Sequence, residues 1–188
     1  GWLDAVGDAE ALTALATLAH DNPSWVFPSL DDDATPSPDA SRPTLVAEDL
    51  GHPLLRPAER VGNPVRLGGA GSLLVVSGSN MAGKTTLLRA IGLDVLLAQA
   101  GGPACATAMR WRRVRVRTSV RVTDALSEGV SLFLAELRRL REIVDAAADV
   151  SDVPVLYLLD EVLHGTNSRD RQAATRAVLA RLHASGAV

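Results

Sequence analysis

The sequence predicts an α/β fold with three layers, in which a mixed or parallel sheet lies between helices. Three observations support this prediction. Apolar runs of strand length alternate with longer segments of helical periodicity. A glycine-bounded loop joins one apolar run, residues 73–76, to a helix that begins near Thr86. Another apolar run, residues 154–159, ends in Asp160 and Glu161, at the sheet edge where ligands gather in open α/β folds.

Composition sets the limits for any function. The 188 residues can hold one medium domain with a core, and the net charge of −3 gives no general attraction to nucleic acid. The single cysteine, Cys105, excludes an internal disulfide. Residues 95–109 form an uncharged stretch that is too short to cross a bilayer, and the N-terminus lacks the basic region of a signal peptide. We therefore expect a cytoplasmic protein without a membrane partner.

The composition and periodicity of the sequence change twice before the motifs begin. Residues 2–20 have helical periodicity with one apolar side. Residues 28–43 carry four prolines and an acidic run, a composition that cannot bury enough surface to fold alone. From Thr44 onward the pattern is that of an α/β domain. We expect three parts: a helical end of a preceding region at 1–27, a linker at 28–43 and one domain at 44–188.

Within the domain, strands and helices follow from periodicity. We expect strands at residues 45–50, 64–67, 73–76, 110–122 and 154–159, and helices at residues 86–98 and 131–148 and from about residue 167. In residues 110–122, arginines alternate with valines, which places the arginines on one face of a strand. That face is either a basic surface for phosphates or an acidic partner, or simply an exposed sheet face.

The loop that follows residues 73–76 has the composition of a phosphate-binding Walker A loop. Successive backbone N–H groups and the positive end of the following helix would cradle the phosphates of a nucleotide. The residues of this binding loop are Gly78, Ser79, Asn80, Met81, Ala82, Gly83, Lys84, Thr85 and Thr86. Gly78 and Gly83 would allow the backbone angles and the close approach that the loop needs.

Two kinds of side chain would complete the site. Lys84, the only lysine in the chain, would reach the β- and γ-phosphates, and the Thr85 hydroxyl would be a ligand of Mg²⁺. Asp160 would hold the same Mg²⁺, and Glu161 would orient or deprotonate the attacking water. The predicted cofactors are therefore ATP and Mg²⁺. The alternative is a glycine-containing turn between a strand and a helix that binds nothing.

The order of four motifs is more specific than the Walker motifs alone. The motifs are residues 51–53 (Gly-His-Pro), the loop at 78–85 with its Asn-Met pair, residues 124–133 with Ser131 and Phe133, and residues 159–166. In this order they resemble the ATPase domain of the MutS family of DNA mismatch-repair proteins. The resemblance covers residues 44–188, and the first helix is similar to the end of the lever region that precedes this domain in the family.

The resemblance implies a homodimer of ABC-type ATPase domains with composite ATP sites. Ser131 would act in trans on the γ-phosphate of the nucleotide held by the other subunit, and residues 165–168 would lie near that interface. ATP binding would close the dimer and hydrolysis would release it. In the family this cycle is coupled to binding of mismatched DNA, mostly through regions outside this chain. The chain is accordingly expected to be a fragment, with a further strand and a switch histidine after Val188.

Several positions depart from the family pattern. Arg60 stands where many members have an aromatic residue that stacks on adenine, and its guanidinium plane could stack instead. Ser79 and Ala82 replace the commoner Pro and Gly, as in paralogues outside the main mismatch-repair branch, and His164 stands where Arg is common. Two alternatives stay open: a MutS-like paralogue that acts on branched or recombining DNA or on a protein partner, and a nucleotide-binding switch with negligible turnover.

Overall fold

The computed structural model describes residues 1–31, 42–79, 81–120, 132–149, 153–163 and 168–188, without the side chains of Leu132 and Phe133. The helices are α1 (Trp2–Asp21), α2 (Lys84–Gln99), α3 (Leu132–Ala148) and α4 (Ser168–Ala184), and a short 3-10 helix covers Pro57–Glu59. The strands are β1 (Ser29–Leu30), β2 (Leu45–Leu50), β3 (Asn63–Leu67), β4 (Ala108–Trp111), β5 (Arg115–Ser119) and β6 (Val155–Leu159).

The chain forms two compact units. The first contains Gly1–Asp31, Leu45–Arg66 and Arg89–Arg112, and the second contains Asp32–Thr44, Leu67–Leu88 and Arg113–Val188. None of the helices in the described ranges combines the length and apolar character needed to cross a membrane.

Helix α1 confirms the helix predicted at residues 2–20. Asp4 lies in its first turn, where the helix dipole favours a negative charge. The predicted apolar side, however, is only partly covered: Leu15 and Leu18 are half-buried, no residue of α1 is buried, and Trp2 is 76% exposed. Periodicity marks a face that can be buried, whereas burial also needs a neighbour for that face.

The first unit is built on a four-stranded sheet in the order β1-β4-β2-β3. Strand β4 pairs antiparallel with β2, opposing Leu45 to Trp111, and parallel with β1. In β2, Leu45 and Ala47 are buried and Glu48 is exposed, as the side-chain alternation of a half-buried strand requires. Strand β1 lies within the segment for which a linker is predicted.

The second unit is built on the parallel pair β5 and β6, with Arg115 opposite Val155. The C-terminal residues occupy the other edge of β6: the Val188 N–H donates to Val155 O at 2.8 Å, and the Tyr157 N–H donates to Val188 O at 2.8 Å. Helices α3 and α4 pack here through one core, formed by Ile143, Val155, Tyr157, Leu182 and Ala187. The parallel and antiparallel pairings together confirm the predicted α/β class with a mixed arrangement of strands.

The alternating Arg/Val segment differs from its prediction. We expected one strand over residues 110–122, but the structure has β4, which ends at Trp111, and β5, which begins at Arg115, in separate sheets. The intervening Val114 is buried, and the Arg115 N–H donates to Pro154 O at 2.8 Å. A period of two is the same in one strand and in two successive strands, so the alternation could not show the break. Val122 lies outside the described residues.

The strand predicted at residues 73–76 is also wrong. These residues form no strand, and Leu73, Leu74 and Val75 are 50%, 46% and 72% exposed. Just before them, Gly71 adopts a φ of 75° and its N–H donates to Ala187 O at 3.2 Å. No described residue pairs with the backbone of residues 73–76. An apolar run becomes a strand only where a sheet edge accepts it, and residues 187 and 188 hold the edge of β6.

Candidate functional site

The predicted phosphate loop leads directly into α2. The Leu87 N–H donates to Gly83 O at 2.9 Å, which closes the first turn of the helix. Gly83 has a φ of 83°, in the left-handed region that favours glycine. Gly78 does not adopt such an angle, and a Cβ there would meet Ala82 Cβ at an ordinary 3.6 Å. The second left-handed position is instead Met81, with a φ of 65°.

Lys84 is folded back over its own loop. Its ammonium group donates to Gly78 O at 2.8 Å and to Ser79 O at 2.6 Å. No acidic residue lies in the first turn of α2, so the positive end of the helix faces no carboxylate of its own. The N–H groups of that first turn have no partner within the helix. The loop therefore offers one mobile positive charge and a set of backbone donors to an anion.

The acidic motif that follows β6 is joined to the phosphate loop by a hydrogen bond. The Thr85 hydroxyl donates to Asp160 Oδ2 at 2.6 Å, although 75 positions separate the two residues in the chain. Asp160 follows β6 directly, and its N–H donates to Ser119 O of β5 at 2.9 Å. Both side chains are half-buried. A hydroxyl and a carboxylate oxygen are hard donors of the kind that Mg²⁺ prefers, so this pair fits the metal role expected of it.

The residues after Asp160 form an unusual turn. Glu161 is exposed and has a φ of 49°, whereas Leu163 is 1% exposed and has a φ of 59°. The Leu163 N–H donates to Oε1 of Glu136, which projects from α3. Glu136 is not among the residues that the sequence motifs predict for the site. A signal was available, because this charged residue lies three positions after Phe133 and four before Leu140, on the apolar stripe of α3.

The remaining predicted residues divide into two groups. Met81, Ala82 and Thr86 are exposed around the start of α2. Asn80 and Ser131 lie outside the described residues, as do His164 and the loop residues 165–167.

Arg60 is engaged within the first unit. Its guanidinium carbon lies 5.3 Å from the centre of the Trp25 ring, and Nη2 donates to Leu55 O at 2.8 Å. Burial, together with the positive charges of Arg89 and Arg60, lowers the pKa of His52. The described residues therefore place Trp25 in cation–π contact with Arg60, the residue for which the sequence left an adenine contact open.

Comparisons with known proteins identify a family for this chain. Residues 74–187, more than half of the chain, match the family model described as MutS domain V. The chain is 33% identical over 183 residues to the DNA mismatch repair protein MutS of Haloquadratum walsbyi, covering 96% of this chain and 18% of that protein. It is 39% identical over 135 residues to the DNA mismatch repair protein MutS 2 of Halobacterium salinarum, covering 70% and 15%.

A third relative has a different activity in its name. The chain is 38% identical over 130 residues to the Endonuclease MutS2 of Thermus thermophilus, covering 68% of this chain and 16% of that protein. In each case the chain spans less than a fifth of the relative's length. The family model, which matches more than half of the chain, and these relatives show that this chain belongs to the MutS family.

Proposed function

We propose that this chain is the ATP-binding and ATP-hydrolysing module of a MutS-family protein. The observation that carries the proposal is the 2.6 Å hydrogen bond from Thr85 Oγ1 to Asp160 Oδ2. It joins a glycine-bounded loop at a helix N-terminus to the carboxyl end of a buried parallel strand, which is where nucleotide sites are built in α/β folds. A turn that binds nothing gives no reason for these two side chains to meet.

Each residue has a separate task in this proposal. Backbone groups of the loop hold the nucleotide. The loop residues are Gly78, Ser79, Asn80, Met81, Ala82, Gly83, Lys84, Thr85 and Thr86. Lys84 releases its two loop carbonyls and places its charge on the phosphates. Thr85 and Asp160 are the ligands of Mg²⁺, which when bound neutralises phosphate charge. Glu161, exposed and next to Asp160, orients or deprotonates the attacking water.

The wider arrangement is also a proposal. We infer a homodimer with composite ATP sites, in which Ser131 serves the neighbouring subunit and nucleotide-driven closure is coupled to mismatched DNA. The printed names of the relatives from Haloquadratum walsbyi and Halobacterium salinarum, DNA mismatch repair proteins, support the DNA part. We place the ATPase domain at residues 44–188, after a lever-like helical end at 1–27 and a linker at 28–43, in a cytoplasmic protein.

A second candidate function is that of a paralogue that acts on branched or recombining DNA, or on a protein partner. The 38% identity to an endonuclease MutS2 supports it, as do Ser79 and Ala82 in the loop. Both candidates use the same ATP site. A comparison of mismatched, branched and fully paired duplexes as ligands of the full-length protein decides between them: preference for the mismatch supports the first, and preference for the branch supports the second.

Single-turnover hydrolysis of Mg-ATP tests the enzyme assignment. We expect the wild-type chain and Glu161→Gln to bind ATP alike, and we expect turnover in Glu161→Gln to fall by about 10²-fold or more, because it loses a general base. Glu142→Gln, an exposed position on α3, is the matched control and should keep full turnover. Binding without turnover in the wild-type protein would assign a nucleotide switch instead, and absence of binding would refute the proposal.

A further inference from the structure

The turn that presents Asp160 and Glu161 has a strained backbone. Glu161 and Leu163 have φ angles of 49° and 59°, in the left-handed region that non-glycine residues rarely adopt. Leucine gains nothing there from a local side-chain hydrogen bond, which is what lets Asn and Asp visit this region. Such a conformation persists only where the surroundings hold it.

Hydrogen bonds at both ends and one buried side chain hold this turn. At its start, the Asp160 N–H donates to Ser119 O of β5 at 2.9 Å and the Asp160 carboxylate accepts from Thr85. At its end, the Leu163 side chain is 1% exposed. There the Leu163 N–H also donates to the carboxylate of Glu136. The start of the turn is thus fixed by the sheet and the loop, and the polar support of its end comes from α3.

Glu136 is well placed for this support. A carboxylate is a stronger acceptor for a backbone N–H than a neutral oxygen, and this one is half-buried, where water competes less. Helix α3 is itself anchored by Ile143, which is 2% exposed in the core that α3 shares with β6 and α4. The acceptor is therefore carried by a rigid element.

We propose that Glu136 is a positioning residue for hydrolysis: through the Leu163 N–H it fixes the turn that aligns Glu161 beside Asp160. The proposal rests on the ATPase function proposed above. Glu136 does not need to touch the nucleotide. Without its acceptor, the Leu163 N–H has no other partner among the described residues, and the end of the turn relaxes. Asp160 keeps its contacts with Ser119 and Thr85, so Mg²⁺ and ATP binding persist while Glu161 loses its alignment.

The test compares Glu136→Ala and Glu136→Gln with the control Glu142→Ala, an exposed glutamate on the same helix. Two quantities are measured: the hydrogen-exchange rate of the Leu163 amide without nucleotide, and kcat and KM for Mg-ATP. In Glu136→Ala we expect exchange at Leu163 to rise about tenfold or more, and kcat to fall about 10- to 100-fold with little change in KM. Glu136→Gln retains an oxygen acceptor and should restore most of the protection of the Leu163 amide and most of kcat. Glu142→Ala should match the wild type in both measurements.

Three results with Glu136→Ala would overturn the inference. Unchanged exchange at Leu163 in Glu136→Ala would show that Glu136 does not hold the turn. A parallel loss of kcat, ATP affinity and thermal stability, with no rescue by Gln, would show a purely structural role. A wild-type chain that binds no ATP refutes the proposed function and the catalytic part of this inference together, whereas normal turnover in Glu136→Ala refutes the inference alone.

Discussion

Asp94 should make the stability of the first unit depend on pH. This residue of α2 has 0% exposure, its Oδ1 accepts the Cys105 N–H at 2.7 Å, and its buried Oδ2 has no hydrogen-bond partner among the described residues. Burial raises the pKa of Asp94 from its ordinary value of 3.8 to about 7, against the opposing effects of the Cys105 N–H and the Arg60 charge. The folded unit therefore favours the protonated carboxyl.

The direction and size of the effect follow from that pKa. Between the unfolded and folded pKa values the folded state binds more protons, so the free energy of unfolding falls as pH rises. The full loss is about 4 kcal/mol, of which about 3 kcal/mol falls between about pH 5 and pH 8.5. That is a large part of the stability of an ordinary domain, which is about 5–15 kcal/mol.

The perturbation is Asp94→Asn, which keeps an oxygen acceptor for the Cys105 N–H but cannot ionise. Urea unfolding followed by tryptophan fluorescence reports the first unit, because Trp2, Trp25 and Trp111 all lie in it. We expect the stability of Asp94→Asn relative to wild type to rise by about 3 kcal/mol between about pH 5 and pH 8.5. The control Asp8→Asn, at an exposed position of α1 in the same unit, should show no such trend. A pH-independent difference between Asp94→Asn and wild type would refute the reasoning.

Three further substitutions test the fold, each by urea unfolding. Gly7→Ala should stabilise α1 by about 0.5–1 kcal/mol, since a Cβ at Gly7 meets nothing within 4 Å, and a loss of stability would contradict this. Gly83→Ala should lower the free energy of unfolding by about 1–2 kcal/mol, because a φ of 83° strains any residue with a side chain even though a Cβ there meets nothing within 4 Å. An unchanged free energy of unfolding would mean that the loop adopts another angle. Ile143→Ala should lower the free energy of unfolding by about 2–5 kcal/mol, because it leaves a cavity in the core of the second unit. A smaller loss would place Ile143 outside that core.

Local signals were enough where a short segment determines its own structure. The glycine at position 83 and the helical pattern after it predicted the loop and α2, and the apolar run before Asp160 predicted β6. The meeting of Thr85 with Asp160 could also be expected, because loop and strand end lie at the same edge of an α/β sheet. These parts of the candidate site depend on backbone preferences and topology, which the sequence carries directly.

Features that depend on distant neighbours could not be predicted in the same way. Residues 73–76 have the composition of a strand, but pairing depends on a free sheet edge, and no residue within the run carries that information. Leu163 has a left-handed φ, and its N–H donates to Glu136, which lies 27 positions earlier in the chain. Asp94 was missed although it stands three positions after Ile91 on the buried side of α2, where an acidic residue is itself a signal.

Mg²⁺-dependent binding of ATP tests the Thr85–Asp160 site most directly. Titrations with and without Mg²⁺ would use the wild-type chain, Thr85→Ala, Asp160→Asn and the double variant, with Thr17→Ala on α1 as control. We expect Mg²⁺ to strengthen binding in wild type and Thr17→Ala by about tenfold or more, and both single variants to lose that gain. The double variant should be no worse than either single one, since both residues act on one ion. Equal Mg²⁺ dependence in all five proteins, or no ATP binding by the wild type, would contradict the site.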